Sequence, residues 1–382
     1  MIRFLHTADW QIGRSFASVP GDAAALLRRA RIDVVDRLAE VARANGCPFI
    51  LVAGDVFDAE HLAEPTLRAP LERMARAQDL TWYLLPGNHD PDRPEGLWDR
   101  IARIGLPDNV KPLRATEGVP LGDNAVLLPA PLTARDHGDD PTAWMDCAAT
   151  PDGAIRIGLA HGSIRDFGAG ETAALEREAL APDRAASAGL AYLALGDWHR
   201  AQRITPNTWY AGTPEPDRFY PPGEPDGGEA LIVGIAGPNA PAEVQRVRTA
   251  RYTWARLDET LHDADDITGL STRIEALASD PALLYLRLAL RGSIPLAVRE
   301  QVEHGLRRRL EGLLFALDLD DENLLPEPTA DDLDAIDRPG SVLRLAAERL
   351  QAIADDPSDI AAATNARRAL ARLYLEARAA QT

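Results

Sequence analysis

The sequence predicts an α/β chain: an α/β sandwich of alternating strands and helices, then a small α/β domain, then a C-terminal pair of helices. Three observations predict it. Short apolar runs alternate with helical periodicity through the first 240 residues. Five of those runs end in side chains able to bind metals or carry protons, most of them beside a glycine. Past residue 240 the pattern changes, and an acidic, proline-containing stretch precedes the last helices.

The apolar runs are Ile2–Leu5, Pro48–Ala53, Thr81–Leu85, Ala125–Leu128, Ile155–Ala160, Leu190–Leu195 and Ala230–Ile235. They are short, and several are rich in Ile, Val, Leu or Tyr, as buried strands are. Between them, Ala23–Asn45 carries Leu26, Leu27, Val34, Val35, Leu38 and Val41 near helical spacing. Leu71–Ala77 and Leu97–Ile104 read the same way. Such alternation argues for helices packed on sheets. Further on, Leu283–Leu290 predicts a strand, Pro295–Glu311 a helix and Leu313–Leu319 a second strand, together a small βαβ-type domain. Asp318 to Asp337 is acidic, with Pro326, Pro328 and, just beyond, Pro339; it reads as a solvated linker. Val342–Ala354 places Leu343, Ala347, Leu350 and Ile353 on one helical face, Asp356-Pro357-Ser358 breaks it, and Ile360–Arg378 follows as the last helix. The division this predicts is 1–250 for the main domain, 251–325 for an accessory domain, 326–340 for the linker and 341–382 for the helix pair.

Composition narrows the function class. Of 382 residues, 46% are hydrophobic and 26% charged, which excludes a disordered or fibrous chain. The opening Met1-Ile2-Arg3-Phe4-Leu5-His6 lacks the apolar core of a signal peptide. The apolar runs are far shorter than the ~20 residues that span a bilayer. Cys47 and Cys147 are too few for a disulfide framework or a zinc ribbon, and read as reduced thiols of a cytoplasmic protein. Acidic residues number 59 against 41 basic, a net charge of −18. Such a chain repels polyanions at long range, so any nucleic-acid role rests on local patches, metal ions or a partner.

The polar run-ends are Asp9, Gly54-Asp55, Gly87-Asn88-His89-Asp90, His161-Gly162 and Gly196-Asp197-Trp198-His199. Carboxyl ends of strands line the ligand crevice of α/β sheets. Five such ends in series argue for one convergent site. Its donors are oxygens and imidazoles without a thiolate, which suits Mn²⁺, Mg²⁺, Fe or Zn²⁺. Asp55 is placed to bridge two ions, and ions ~3.5–4 Å apart clamp the attacking and leaving oxygens of a phosphoryl displacement. His89, beside Asn88, is the natural general acid for the leaving oxygen. Arg14, just after the first motif, and Arg218 are candidates for substrate phosphate. Each residue also has a plainer reading. Asn88-His89-Asp90 alone is a turn, His161 alone a core histidine, Asp58 a helix cap, and Arg307-Arg308-Arg309 a solvated face. Arg218-Phe219-Tyr220 suits core packing better than base stacking.

In order, these motifs resemble those of calcineurin-like metallophosphoesterases. The opening His6-Thr7-Ala8-Asp9-Trp10 and the run Tyr210-Ala211-Gly212-Thr213-Pro214-Glu215-Pro216 are similar to SbcD-type DNA repair nucleases, the catalytic partners of SbcC-type ATPases. The motifs cover about residues 1 to 220; the remainder is similar in layout only. The resemblance implies a metallophosphoesterase β-sandwich carrying a nuclease site, two divalent ions with Mn²⁺ foremost, a capping domain, and terminal helices that dock on an SbcC-like ATPase. It also implies DNA as substrate and a homodimer. Residue by residue, it implies Asp9 and His199 on the first metal, Asp55 bridging, Asn88, His161 and Asp197 on the second, and His89 as the catalytic histidine. Two positions depart from the family. Gln11 stands where the family has a histidine ligand of the first metal, and Asp197 replaces another histidine. A neutral amide is a weak ligand, and a carboxylate suits a harder cation, so a weak first metal and a strong second one are expected. Two rival readings remain: a phosphatase or phosphodiesterase for small nucleotides, which the acidic balance suits, and a non-catalytic scaffold subunit, which Gln11 suits.

Overall fold

The computed structural model describes residues 1–135, 138–165, 180–327, 340–356 and 358–380. They form two compact units: Met1–Asp217 with Pro225–Arg251, and Arg218–Glu224 with the chain from Tyr252 onward.

The first unit is built on two six-stranded sheets. In one, β1 (Ile2–Thr7), β2 (Phe49–Val52), β3 (Thr81–Leu84) and β4 (Val110–Pro112) run parallel; β11 (Glu229–Ile235) and β12 (Glu243–Arg248) extend it antiparallel beyond β1. The other has the order β5 (Val119–Leu121), β6 (Ala125–Ala130), β7 (Ile155–His161), β8 (Tyr192–Gly196), β10 (Thr208–Tyr210) and β9 (Gln202–Thr205). It is parallel from β6 through β10.

Strand periodicity explains the layers. Side chains alternate across a strand, so Ile2 and Phe4 point one way and Leu5 the other. Ile2 and Phe4 join Leu51, Tyr83, Leu127, Ile157 and Tyr192 in the core between the sheets. Leu5, Ile50 and Val52 face the helices α1 (Ala23–Ala44), α2 (Glu64–Arg76) and α3 (Leu97–Ile104), whose Val34, Leu38, Leu67, Met74 and Ile101 complete a second core. The outer face of the other sheet is covered by Met145, Ile164, Leu180 and the short α4 (Arg184–Ser187). The predicted Leu71–Ala77 helix is the second half of α2. Its start escaped the apolar pattern because Pro65 reads as a breaker, yet a proline in the first turn has no N–H to waste.

The second unit has three parallel strands, β13 (Thr253–Leu261), β14 (Leu284–Pro295) and β15 (Ala316–Glu327), in that order. Helix α5 (Ala264–Glu275) joins the first two. Helix α6 (Leu296–Glu300), a π-helical stretch at Gln301–Leu306 and α7 (Arg307–Leu313) join β14 to β15. Leu270, Ile274, Leu286, Leu288, Val302, Leu310 and Leu324 form its core. The last helices, α8 (Val342–Ala354) and α9 (Ile360–Ala379), pack Ala347, Leu370 and Tyr374 against Leu296. Among the described residues no helix is long and apolar enough to cross a membrane.

Three sequence expectations are corrected here. The acidic run from Asp318 is not a linker as far as Glu327; it is strand β15. Two of its carboxylates are held by cations: Asp318 accepts from Arg287 at 2.8 Å, and Asp321 from Arg299 at 2.7 Å and Arg307 at 3.3 Å. Leu324 meanwhile turns into the core. Residues 328–339, the rest of the expected linker, lie outside the described residues. Strand β13 was not predicted, because Arg256 and Asp258 on its open face and Glu259 on the other break its apolar pattern. Lastly, Arg218–Glu224 belongs to the second unit rather than the first, because Phe219 packs on Trp254 and Tyr285 with ring centroids 4.8 Å away in each case.

Candidate metal centre

Strands β1, β2, β3, β7 and β8 each run straight into one of the polar motifs. The loops after β1 and β2 are laced together by backbone hydrogen bonds: Asp9 N to Gly54 O at 3.1 Å, Gln11 N to Asp55 O at 3.0 Å and Asp58 N to Ile12 O at 2.9 Å. Sharp turns are needed to aim side chains inward from strand ends. Asp9 (φ 54°), Gln11 (φ 49°), Asp55 (φ 55°) and Asp197 (φ 101°) all adopt left-handed backbone, a strained choice for residues with a Cβ. Two glycines permit the approach. A Cβ on Gly54, itself at φ 87°, would stand 2.2 Å from His161 Nδ1. One on Gly196 would stand 1.9 Å from the Ala53 carbonyl.

The ligand atoms of Asp9, Asp55 and His161 lie within 4.8 Å of one another, and all three residues are buried. His161 Nδ1 donates to the Ala53 carbonyl at 2.8 Å, which turns Nε2 toward the centre. Around Nε2 lie Asn88 Oδ1 at 3.3 Å, Asp55 Oδ1 at 3.5 Å and Asp197 Oδ1 at 3.9 Å. Asp55 accepts from the His89 peptide N–H at 2.9 Å and from Gln11 Nε2 at 2.7 Å. The Asp9 carboxylate accepts from the Asp197 peptide N–H at 3.1 and 3.2 Å, and Asp197 in turn accepts from Ser163 Oγ at 2.7 Å. His199 stands outside the group of three; its Nδ1 meets Asp217 Oδ2 at 2.9 Å.

The electrostatics call for a cation. Burial opposes charge on His161, but Asp55, Asp9, Asp197 and the Ala53 carbonyl outweigh it and raise its pKa to about 9. Asp9 is pushed up to about 6, chiefly by burial, with Asp55 and Asp197 adding and His199 and His161 opposing. Crowded carboxylates thus draw protons onto one another and onto the imidazole. A divalent cation among them relieves that crowding. The chain supplies a further donor: Gln11 Oε1 is buried with no hydrogen-bond partner among the described residues. Oxygen and imidazole donors, a shared carboxylate and an orphaned amide oxygen fit a divalent metal.

His89 is aimed at this group. Its Nδ1 donates to the Asp58 carbonyl at 2.9 Å, and its Nε2 lies 3.9 Å from Asp55 Oδ2. Arg14 Nη1 is 3.4 Å from both Asp58 and Asp217, so the residue proposed to meet phosphate is at least partly engaged with carboxylates. Arg218 lies in the second unit and is not part of the group.

Several positioning residues escaped the sequence reading. Buried Asp90 accepts from Gly87 N at 2.7 Å and Phe57 N at 3.1 Å, tying the histidine-bearing loop to the loop of Asp55. Burial, reinforced by Asp55, pushes its pKa well up. Arg31, buried in α1, donates to Trp10 O at 2.7 Å and Glu215 O at 2.9 Å, so it joins the first motif to the segment before Asp217. Asp217 itself follows Pro216, one residue past the motif. Asp90 stands inside a quoted motif without its role showing there, and nothing local marks Arg31 or Asp217, whose partners lie 18 or more positions away.

Residues 2–178 match the calcineurin-like phosphoesterase family. That stretch, just under half of the chain, is a calcineurin-like phosphoesterase domain. The chain is 27% identical over 366 residues to the D subunit of the nuclease SbcCD from Rhodobacter capsulatus, an alignment covering 82% of this chain and 87% of that one. It is also similar to a solved structure of TT1561 from Thermus thermophilus, at 10% identity, over 65% of this chain and 99% of that chain, with a TM-score of 0.41. The family match takes in the loops of Asp9, Asp55, Asn88, His89 and His161, and ends before Asp197 and His199.

Proposed function

We propose that this phosphoesterase hydrolyses phosphodiester bonds of DNA as the nuclease subunit of an SbcCD-like complex. The observation that carries the proposal is the buried Asp9–Asp55–His161 group with the His89 imidazole turned toward it. Asp55, grouped with Asp9 and His161, would be shared by two divalent ions; Asp9, His199 and Gln11 would help hold the first, and Asn88, His161 and Asp197 the second. When bound, a pair of Mn²⁺ ions supplies a water that is ionised near neutral pH and neutralises charge on the phosphate oxygens.

The chain's own residues do the rest. Gln11 and the His89 peptide N–H orient the two oxygens of Asp55 by hydrogen bonds at 2.7 and 2.9 Å. The Asp58 carbonyl accepts from His89 Nδ1–H and so turns Nε2 toward the Asp55 carboxylate, 3.9 Å away, where it would deliver a proton to the leaving oxygen. With a net charge of −18, affinity for DNA would come from the metals and from a partner ATPase. Exposed apolar side chains on the terminal helices, among them Val342 at 83% and Ile360 at 80% exposure, support a docking role for that pair.

The test is cleavage of labelled single- and double-stranded DNA in Mn²⁺ with and without an SbcC-like ATPase. His89→Ala is expected to lower turnover by about 10²–10⁴-fold while metal binding is kept. Hydrolysis of small nucleotide esters, with DNA left intact even when the ATPase is present, would reject the nuclease reading in favour of a small-molecule phosphodiesterase.

A further inference from the structure

The first-metal side of the centre is short of strong donors. Gln11 gives its amide N–H to Asp55 at 2.7 Å, and what it has left is a neutral amide oxygen. Asp9 shares its carboxylate with a peptide N–H. That side therefore leans on His199. We infer that Asp217, clamped by Arg14, makes His199 the anchoring ligand of the first metal; this rests on reading His199 as a ligand.

The geometry carries the inference. The Asp217 side chain has no solvent exposure, and its Oδ2 lies 2.9 Å from His199 Nδ1. Nδ1–H donating to a carboxylate fixes the tautomer, leaves the Nε2 lone pair for a cation and strengthens the ring as a donor. A buried carboxylate is costly unless a cation faces it. Arg14 is that cation, 3.4 Å from Asp217 Oδ2, and the same nitrogen lies 3.4 Å from Asp58 Oδ1. Asp58 is also the residue whose carbonyl holds His89. One guanidinium thus joins the support of the metal-ligand candidate to the support of the general acid. Buried Arg31, which also attracts Asp217 electrostatically, holds the backbone of Glu215 two residues before it. Asp217 is therefore a positioning residue: it acts through His199 and touches neither metal nor phosphate.

The experiment is a Mn²⁺ titration of the full chain, following free Mn²⁺ by electron paramagnetic resonance. Wild type, Asp217→Ala, Asp217→Asn and His199→Ala are compared, with melting curves alongside. Asp217→Ala is expected to weaken the looser ion by about 10–100-fold and to leave the tighter one within about twofold. Asp217→Asn keeps the shape and an acceptor oxygen but loses the charge, so it should weaken the same ion by a smaller factor; it carries the test if the alanine variant unfolds. Adding Gln11→His to either variant should restore at least about tenfold by supplying a second imidazole. If both Asp217 variants bind both ions as wild type does while His199→Ala loses one, the inference is overturned and the ligand reading survives. If His199→Ala also binds both ions normally, the two fall together.

Discussion

On one side of the candidate metal centre, His161 and one oxygen of the shared Asp55 are aimed by backbone. The His161 ring hangs on the Ala53 carbonyl, and Asp55 accepts from the His89 peptide N–H while its own backbone is laced to the loop of Asp9. On the other side, His199 is aimed by a side chain, that of Asp217. Backbone supports cannot be removed by a point substitution, whereas side-chain supports can. The His161 side should therefore hold its metal tightly and fail abruptly, and the His199 side should weaken by degrees.

The largest effect should come from the residue common to both sides. If Asp55 is shared by both ions as proposed, Asp55→Asn should lower turnover by roughly 10³-fold or more, because several kcal/mol of metal-borne charge stabilisation would depend on its carboxylate. Calorimetric titration with Mn²⁺ should find both ions weakened together; loss of only one would mean that Asp55 does not bridge.

The next effect is in stability, and it follows pH. The side-chain-aimed half grows out of β8, which His6 of β1 holds from below. The ring nitrogens of His6 meet Tyr192 OH at 3.1 Å and the Leu195 carbonyl at 3.2 Å, and burial drives its pKa down to about 3, opposed by that carbonyl. The unfolded chain protonates a histidine near its ordinary value of 6.5, so between there and about 3 it binds a proton that the folded chain refuses. Stability from this residue is complete above pH 6.5 and drains away as pH falls, by on the order of 5 kcal/mol in total. Urea midpoints measured from pH 7 to pH 4 should fall, and His6→Gln should flatten the slope by about one proton. An unchanged slope would assign the acid sensitivity to other groups.

A smaller effect tests the backbone-aimed side directly. Gly54→Ala puts a Cβ 2.2 Å from His161 Nδ1 at a positive φ, so it should cost roughly 1–3 kcal/mol and displace the imidazole. Thermal melts of the metal-free and Mn²⁺-loaded variant should show the stabilising shift by metal reduced. A full shift would mean the ring has room to move.

The contrast between the two sides also bears on what the sequence discloses. Strand-end motifs such as Gly54-Asp55 and Gly87-Asn88-His89-Asp90 are contiguous, so residues aimed by backbone stand out in the chain. The buried apolar runs of β1, β2, β7 and β8 are legible for the same reason: each is a short, unmixed stretch. Support by distant side chains leaves no local mark. Asp217 lies 18 positions from His199, and Arg31 more than 180 from Glu215. Strands β13 and β15 were hidden differently. Their charges, Asp318 and Asp321 among them, are paired with arginines across the sheet or from the next helix, and a paired carboxylate looks identical to a solvated one in sequence.

The measurement that bears most directly on the account is the anomalous scattering of Mn²⁺ in crystals of the full chain. Two peaks are predicted on either side of the Asp55 carboxylate, the stronger toward His161 and Asn88 and the weaker toward Asp9 and His199. Manganese bound elsewhere, with no peak within ligand distance of Asp55, would contradict the metal centre and the hydrolytic function built on it.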